Sequence, residues 1–378
     1  MDNGIVEIPV IRITQQGKTL YIGKISGEKI IKKCITTEWD PDLGWDLSQQ
    51  GYQRAPNKKH YTRIAGFLKN EGDPLLPTSA LLSAREYEYG LLDYSPYDKS
   101  IPDVGVLKIP EARTLFIVDY QHRWRGIKHA IEAFNSNNLY DFQIPVIIMA
   151  NVSKYEEIRQ FYLINSKQKR VDTDLGLALL QTMATQADEK ELMNFVGPGN
   201  KYRIRATRLT FQIAAQTSGP WAGKIVDPNM IVTGNQVVSI KSFVDSIKPI
   251  LVRTSPIHEK SDDEIIKIIQ DYWSGIESFM PNACANPINY SLQRTVGVFV
   301  MHRIAGRKVL NICTAQNDFS PDNISQIMND AKLKQKSSQP GQRYFDEHFW
   351  AVGGFAKAYS SSSGQNDLAD KMMHFIQS

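Results

Sequence analysis

The sequence predicts an α+β protein, with strands and helices interleaved over residues 1–175 and a mainly helical region over residues 176–378. Three observations predict it. Apolar runs of strand length alternate with amphipathic stretches through the first region. Beyond Asp174 the apolar residues keep helical spacing. The 378 residues exceed one average domain, while 42% hydrophobic and 22% charged content is ordinary for a folded globular chain.

Taken in order, residues 5–35 read as short strands, with Gln15-Gln16-Gly17-Lys18 as the turn of a small sheet or an edge hairpin. Asp40-Pro41-Asp42-Leu43-Gly44 is a loop signal. Gly51-Tyr52-Gln53-Arg54-Ala55-Pro56-Asn57 then leads into a helix with Ile64, Ala65, Phe67 and Leu68 on its apolar side. Thr78–Leu82 and Thr114–Val118 are buried strands, the second delivering Asp119 to a helix on which Trp124, Ile127, Ala130, Ile131 and Phe134 form one apolar face. Asn135-Ser136-Asn137-Asn138 ends that helix, and Ile144–Met149 is a further strand. Ser153-Lys154-Tyr155-Glu156 has capping-box form, so a helix runs from Lys154 to about Ile164 and stops at the polar loop Asn165–Arg170.

The second region carries Leu175, Leu177, Leu179 and Leu180, and later Ile240, Phe243, Val244 and Ile247, at helical spacing. Ser261-Asp262-Asp263-Glu264 is a second capping box opening a helix to about Phe279, and Ser320-Pro321 is a cap followed by proline at the first helical position. Ser360–Gly364 reads as a flexible serine-rich piece, and the C-terminus after it is left open between a docked helix and a loose tail.

A net charge of +4 permits contact with nucleic acid without demanding it. Cys34, Cys284 and Cys313 are too few and too scattered for a disulfide framework or a four-cysteine zinc site. No window approaches the roughly 18 uninterrupted apolar residues of a membrane span, and the N-terminus lacks the form of a secretion signal. The expectation is a soluble cytoplasmic protein without membrane contact. Phosphate-loop, G-x-S-x-G and H-E-x-x-H motifs are absent, and His258 and His302 stand alone as ordinary histidines.

Chemistry concentrates at Asp119-Tyr120-Gln121-His122-Arg123, where a strand runs straight into a helix whose first N–H groups and positive dipole end favour an anion. At about 100° per residue, His122 and Arg125 point away from the apolar stripe and Arg123 falls near it. The competing reading is structural: Asp119 is the N-cap and Arg123, at i+4, its ion-pair partner. Three further segments are basic. Arg54, Asn57, Lys58, Lys59, His60 and Arg63 surround one helix start; Lys167, Gln168, Lys169 and Arg170 follow Asn165; and Lys201, Arg205 and Arg208 share a face if their segment is helical, with Tyr202 free to stack on a base. Each is equally read as a solvated or ion-paired surface.

Gly51-Tyr52-Gln53-Arg54, Asp119-Tyr120-Gln121-His122-Arg123 and Phe161-x-x-Ile164-Asn165-x-x-Gln168-Lys169-x-Val171 together resemble, in order and spacing, the three signatures of the DGQHR-domain family, which includes DndB of DNA phosphorothioation and DpdB of deazaguanine DNA modification. The resemblance covers residues 45–180 well and the remainder loosely. It implies a ParB/sulfiredoxin-like fold for the N-terminal domain and a phosphate site at the 119–125 turn. Sulfiredoxin chemistry requires a cysteine in that turn, and there is none. Where the family has glycine, this chain has Tyr120, which leaves hydrolysis in question.

Three readings follow. In the first, a DNA-associated protein of a DNA-modification system binds ATP or CTP with Mg2+, and an NTPase activity is left open. Arg54, Gln121, His122, Arg123, Arg125, Asn165 and Gln168 contact the nucleotide, Asp119 and His122 serve any catalysis, and Lys58, Lys59, Arg63, Lys201, Arg205 and Arg208 hold DNA. In the second, the protein is a non-enzymatic DNA-binding regulator or scaffold that meets DNA or modification-complex proteins. In the third, it is a ParB-like metal-dependent nuclease. The oligomeric state is left open.

Overall fold

The computed structural model describes residues 5–43, 49–70, 74–85, 92–110, 113–168, 176–177, 179, 182–183, 202–226, 236–335 and 342–376. The chain divides into two compact units, one of residues 1–40 and 49–171, the other of 41–48 and 172–378. The architecture is α+β in the first and mainly helical in the second.

The first unit is built on an eight-stranded mixed sheet in the order β3-β7-β4-β8-β2-β1-β6-β5. Its strands are β1 (Ile5–Gln15), β2 (Lys18–Ser26), β3 (Cys34–Ile35), β4 (Ala80–Arg85), β5 (Asp93–Asp98), β6 (Ile101–Pro110), β7 (Leu115–Asp119) and β8 (Gln143–Val152). β1 and β2 form the expected hairpin, turning at Gln16 and Gly17 with φ of 50° and 78°, the geometry that matches strand twist. The hairpin is interior to the sheet, because β2 pairs with β8 and β1 with β6.

Residues 27–33 depart from the strand expectation. They form α1 (Gly27–Lys33), whose Lys29 N–H is accepted by the Ser26 hydroxyl, so a local cap outweighs the run of apolar residues around it. α2 (Lys58–Asn70) and α3 (Gln121–Phe134) start where the sequence places them. Their buried residues Ala65, Leu68, Trp124, Ile127, Ala130 and Ile131 share one core with Ile30 and with Leu82, Ile117, Val146 and Ile148 of the sheet. Phe67 is exposed rather than core.

α4 (Lys154–Gln168) begins at the Ser153 cap, where the hydroxyl accepts from Glu156 N–H, and runs one turn beyond the expected end, through the predicted polar loop. It is tied to the sheet by a pair that sequence reading missed. Ser83 and Arg85 alternate with Leu82 and Ala84, so they leave the core side of β4; both bond Glu157 of α4.

In the second unit the capping box at Ser261 and Glu264 opens the helix Asp262–Phe279, as predicted. That helix lies against Pro321–Lys334, which starts at the Ser320 cap. Trp221, Phe243, Trp273 and His302 pack edge to face at the centre of this unit. Ser360–Gly364 departs from the flexible reading. Ser361 caps a helix, Ser362–Met373, and Leu368, Met372 and Ile376 beyond it are buried, so the apolar face outweighs the serine-rich composition. Leu175 and Leu180 lie outside the described residues.

Candidate functional site

α2 and α3 run parallel. His60 faces His122, Ile64 meets Gly126, and the Lys69 ammonium sits over the Phe134 ring. Gly126 is what allows the approach, since a Cβ there would lie 2.5 Å from the Ile64 methyl. The consequence is electrostatic: two helices of 13 and 14 residues present their N-termini to the same place, so two positive dipole ends converge.

Between them opens a cleft of about 840 Å³, lined by Arg54, Asn57, His60, Asp119, Gln121, His122, Arg123 and Asn165 among polar residues, and by Ala55, Ile64, Val118, Tyr120 and Phe161. Arg54 reaches it because the preceding residues are anchored. Tyr52 and Gln53 are fully buried, their N–H groups donate to the Thr37 carbonyl, and the Gln53 amide donates to the Ile117 carbonyl at 2.5 Å. A Cβ at Gly51 would overlap the Glu38 carbonyl, so only glycine allows this segment so close to its neighbour.

The two helix starts differ. Asn57 caps α2, accepting from His60 N–H at 3.2 Å, whereas α3 has Tyr120 at its cap position with no side-chain cap. Asp119 neither caps α3 nor pairs with Arg123, and it makes no ion pair among the described residues. The structural reading of this turn therefore fails in both parts, and the first N–H groups of α3 have no side-chain acceptor among the described residues.

Arg123 and Arg125 exchange the places that helical geometry assigns them. Arg123 lines the cleft, donates to the Thr78 hydroxyl and lies over the Tyr120 ring. Arg125 is absent from the lining and forms an ion pair with Glu38, which the backbone pairing of 37–39 with 52–53 brings within reach. Arg54 makes no ion pair among the described residues. Burial, aided by His60, Arg125 and Arg54, pushes the His122 pKa below the ordinary histidine value, so His122 is neutral at pH 7.

Asn165 lines the cleft with its amide turned back to the Phe161 carbonyl. The side chains of Lys167 and Gln168 lie outside what is described, and Lys169, Arg170 and Lys201 lie outside the described residues altogether. Lys58, Lys59 and Arg63 are exposed on α2 and make no ion pair among the described residues. In the second unit Arg205 and Arg208 both pair with Asp262, and Arg205 also donates to the carbonyls of His258 and Lys260. That is the pairing with distant acids that sequence reading weighed against DNA contact; Arg205 acts as a clamp on a helix start.

Fold and cleft together define a class: α+β proteins with a cation-rich cleft at a strand-to-helix turn, joined to a mainly helical unit. The chain belongs to the DndB family, described as DNA-sulfur modification-associated, whose model matches residues 8–196. Membership gives it a role in DNA-sulfur modification systems. No curated protein and no solved structure matches the chain. No helix among the described residues is long and apolar enough to cross a membrane.

Proposed function

We propose that the chain is the DNA-associated component of a DNA-sulfur modification system that binds a nucleotide by its phosphates at the cleft between α2 and α3. One observation carries this reading: two parallel helix N-termini, Arg54, His122 and Arg123 all open on one cleft, whose volume is in the range of small-molecule sites. Phosphate oxygens would accept from the uncapped N–H groups of α3 and from the two guanidinium groups, while neutral His122 offers a single N–H.

Asp119 is the one carboxylate among the described lining residues. A lone carboxylate fits Mg2+ that arrives with ATP or CTP, since that ion takes its other oxygens from phosphates and water and would neutralise phosphate charge. Asp119 would then also hold a water near the phosphates, and NTPase activity would rest on this residue.

The exposed Lys58, Lys59 and Arg63 favour a second reading alongside the first, a non-enzymatic regulator or scaffold that holds DNA on α2. Thermal unfolding with ATP or CTP and magnesium tests the binding claim: a nucleotide-dependent rise in Tm, lost in Arg54→Ala, is expected. No stabilisation at millimolar nucleotide removes it. Phosphate release and plasmid nicking by the same preparation separate an NTPase and a metal-dependent nuclease from a binding-only protein.

A further inference from the structure

We propose that Tyr120 and Gln121 read the nucleoside end of the ligand, its base edge in particular, so that the cleft selects a nucleotide over a bare polyphosphate. This rests on the phosphate reading of the same cleft.

Tyr120 has φ of 125° and ψ of 3°, a conformation that glycine adopts freely and a side chain does not. Glycine would relieve the backbone, and phenylalanine would fill the same space. Tyrosine adds to phenylalanine only a hydroxyl. That hydroxyl is buried, in a residue 3% exposed, and has no hydrogen-bond partner among the described residues. Burial holds it protonated, with its pKa pushed up to about 12, so it is a standing donor.

The next residue repeats the pattern. Gln121 is 9% exposed, and its Oε1 is buried and unpartnered. Both residues line the cleft, and among the described lining residues they are the two that carry such atoms. Buried polar atoms are nearly always satisfied, and two exceptions on adjacent residues that line one cleft point to a ligand that completes them. A phosphate cannot serve Gln121 Oε1, because both are acceptors at neutral pH. The partner needs a donor and an acceptor side by side, which is what a nucleobase edge supplies. The apolar walls from Ile64, Val118 and Phe161 suit the rest of a base.

The test compares the affinities of ATP, CTP, GTP, UTP and inorganic tripolyphosphate for the wild type, Tyr120→Phe and Gln121→Met, each checked for an unchanged far-ultraviolet spectrum. The wild type should separate its best from its worst nucleotide by about tenfold, the ratio expected from one well-placed hydrogen bond. Both variants should flatten that ranking and leave tripolyphosphate binding unchanged. Four equal nucleotides, or a ranking kept in both variants, overturns the proposal while tripolyphosphate binding keeps the phosphate reading. Failure of tripolyphosphate and of every nucleotide to bind removes both.

Discussion

His60 and His122 face each other across the cleft mouth with ring centroids 4.8 Å apart, one from each of two parallel helices. The contact joins the two helix starts and keeps His122 among cations. Since its pKa lies below the ordinary value, His122 gains charge only on acidification, and a bound phosphate would favour that charge. Phosphate-ligand affinity should therefore rise by about tenfold as pH falls from 8 to 5.5, and His122→Gln should flatten the dependence. Without ligand the sign reverses: a depressed folded pKa means that stability is full above the unfolded histidine value and falls as pH drops through it. Titration calorimetry across that range checks the first, and denaturant midpoints check the second.

Arg85 and Glu157 form a two-pronged pair, both bonds 2.9 Å, with neither side chain more than 6% exposed, and the Arg85 guanidinium stacks on Phe116. Removing one partner leaves a buried charge, so Arg85→Met or Glu157→Gln should destabilise the first unit by about 3–5 kcal/mol. The double variant should lose less than the sum of the singles. Because α4 carries Phe161 and Asn165 to the cleft, ligand affinity should fall with either single change. Urea unfolding and ligand titration of the three variants measure both effects.

His302 is fully buried between Trp273, whose indole N–H donates to Nε2 at 2.8 Å, and Ser246, whose hydroxyl lies 2.8 Å from Nδ1. Indole only donates, so the proton sits on Nδ1 and His302 is neutral. Burial lowers its pKa to about 3. The unfolded chain therefore binds a proton near pH 6.5 that the folded unit refuses until about 3. Stability should fall by up to about 1.4 kcal/mol per pH unit across that window. The fall should be shallower in His302→Gln, as followed by tryptophan fluorescence in urea between pH 7 and 5.

Basic residues should separate by role. Lys59→Ala with Arg63→Ala should weaken binding to double-stranded DNA and reduce its salt slope by roughly one unit per residue, with little change in Tm. Arg205→Ala should do the reverse, lowering Tm by loosening the start of the Asp262–Phe279 helix while leaving the salt slope unchanged. An Arg205→Ala protein of normal stability with a reduced slope would return that residue to the DNA surface.

The candidate site was partly legible. Asp119 to Arg123 could be located because a strand, a polar junction and an amphipathic helix are adjacent in sequence, and Arg54 because a loop of Gly, Tyr and Gln precedes a basic helix. Their meeting was not legible. Nothing near Arg125 announces Glu38, 87 residues away, and Arg85 lies 72 residues from Glu157. A helical wheel misplaces Arg123 and Arg125 because long side chains follow whichever partner the packing brings close.

By itself the sequence determined the pieces whose physics is local: the hairpin turn at Gln16 and Gly17, the capping box at Ser261 and Glu264, the helix starts at 58, 121 and 321, and the passage from a mixed to a mainly helical pattern. These depend on hydrogen bonds and spacings within a few residues, where chain connectivity holds the partners together. Only the tertiary structure decided that α2 and α3 lie parallel with both N-termini on one cleft, that Asp119 does not cap α3, and that Tyr120 keeps a strained backbone and a hydroxyl with no partner among the described residues. Those features depend on which distant surfaces pack, and close packing sets that for the fold as a whole.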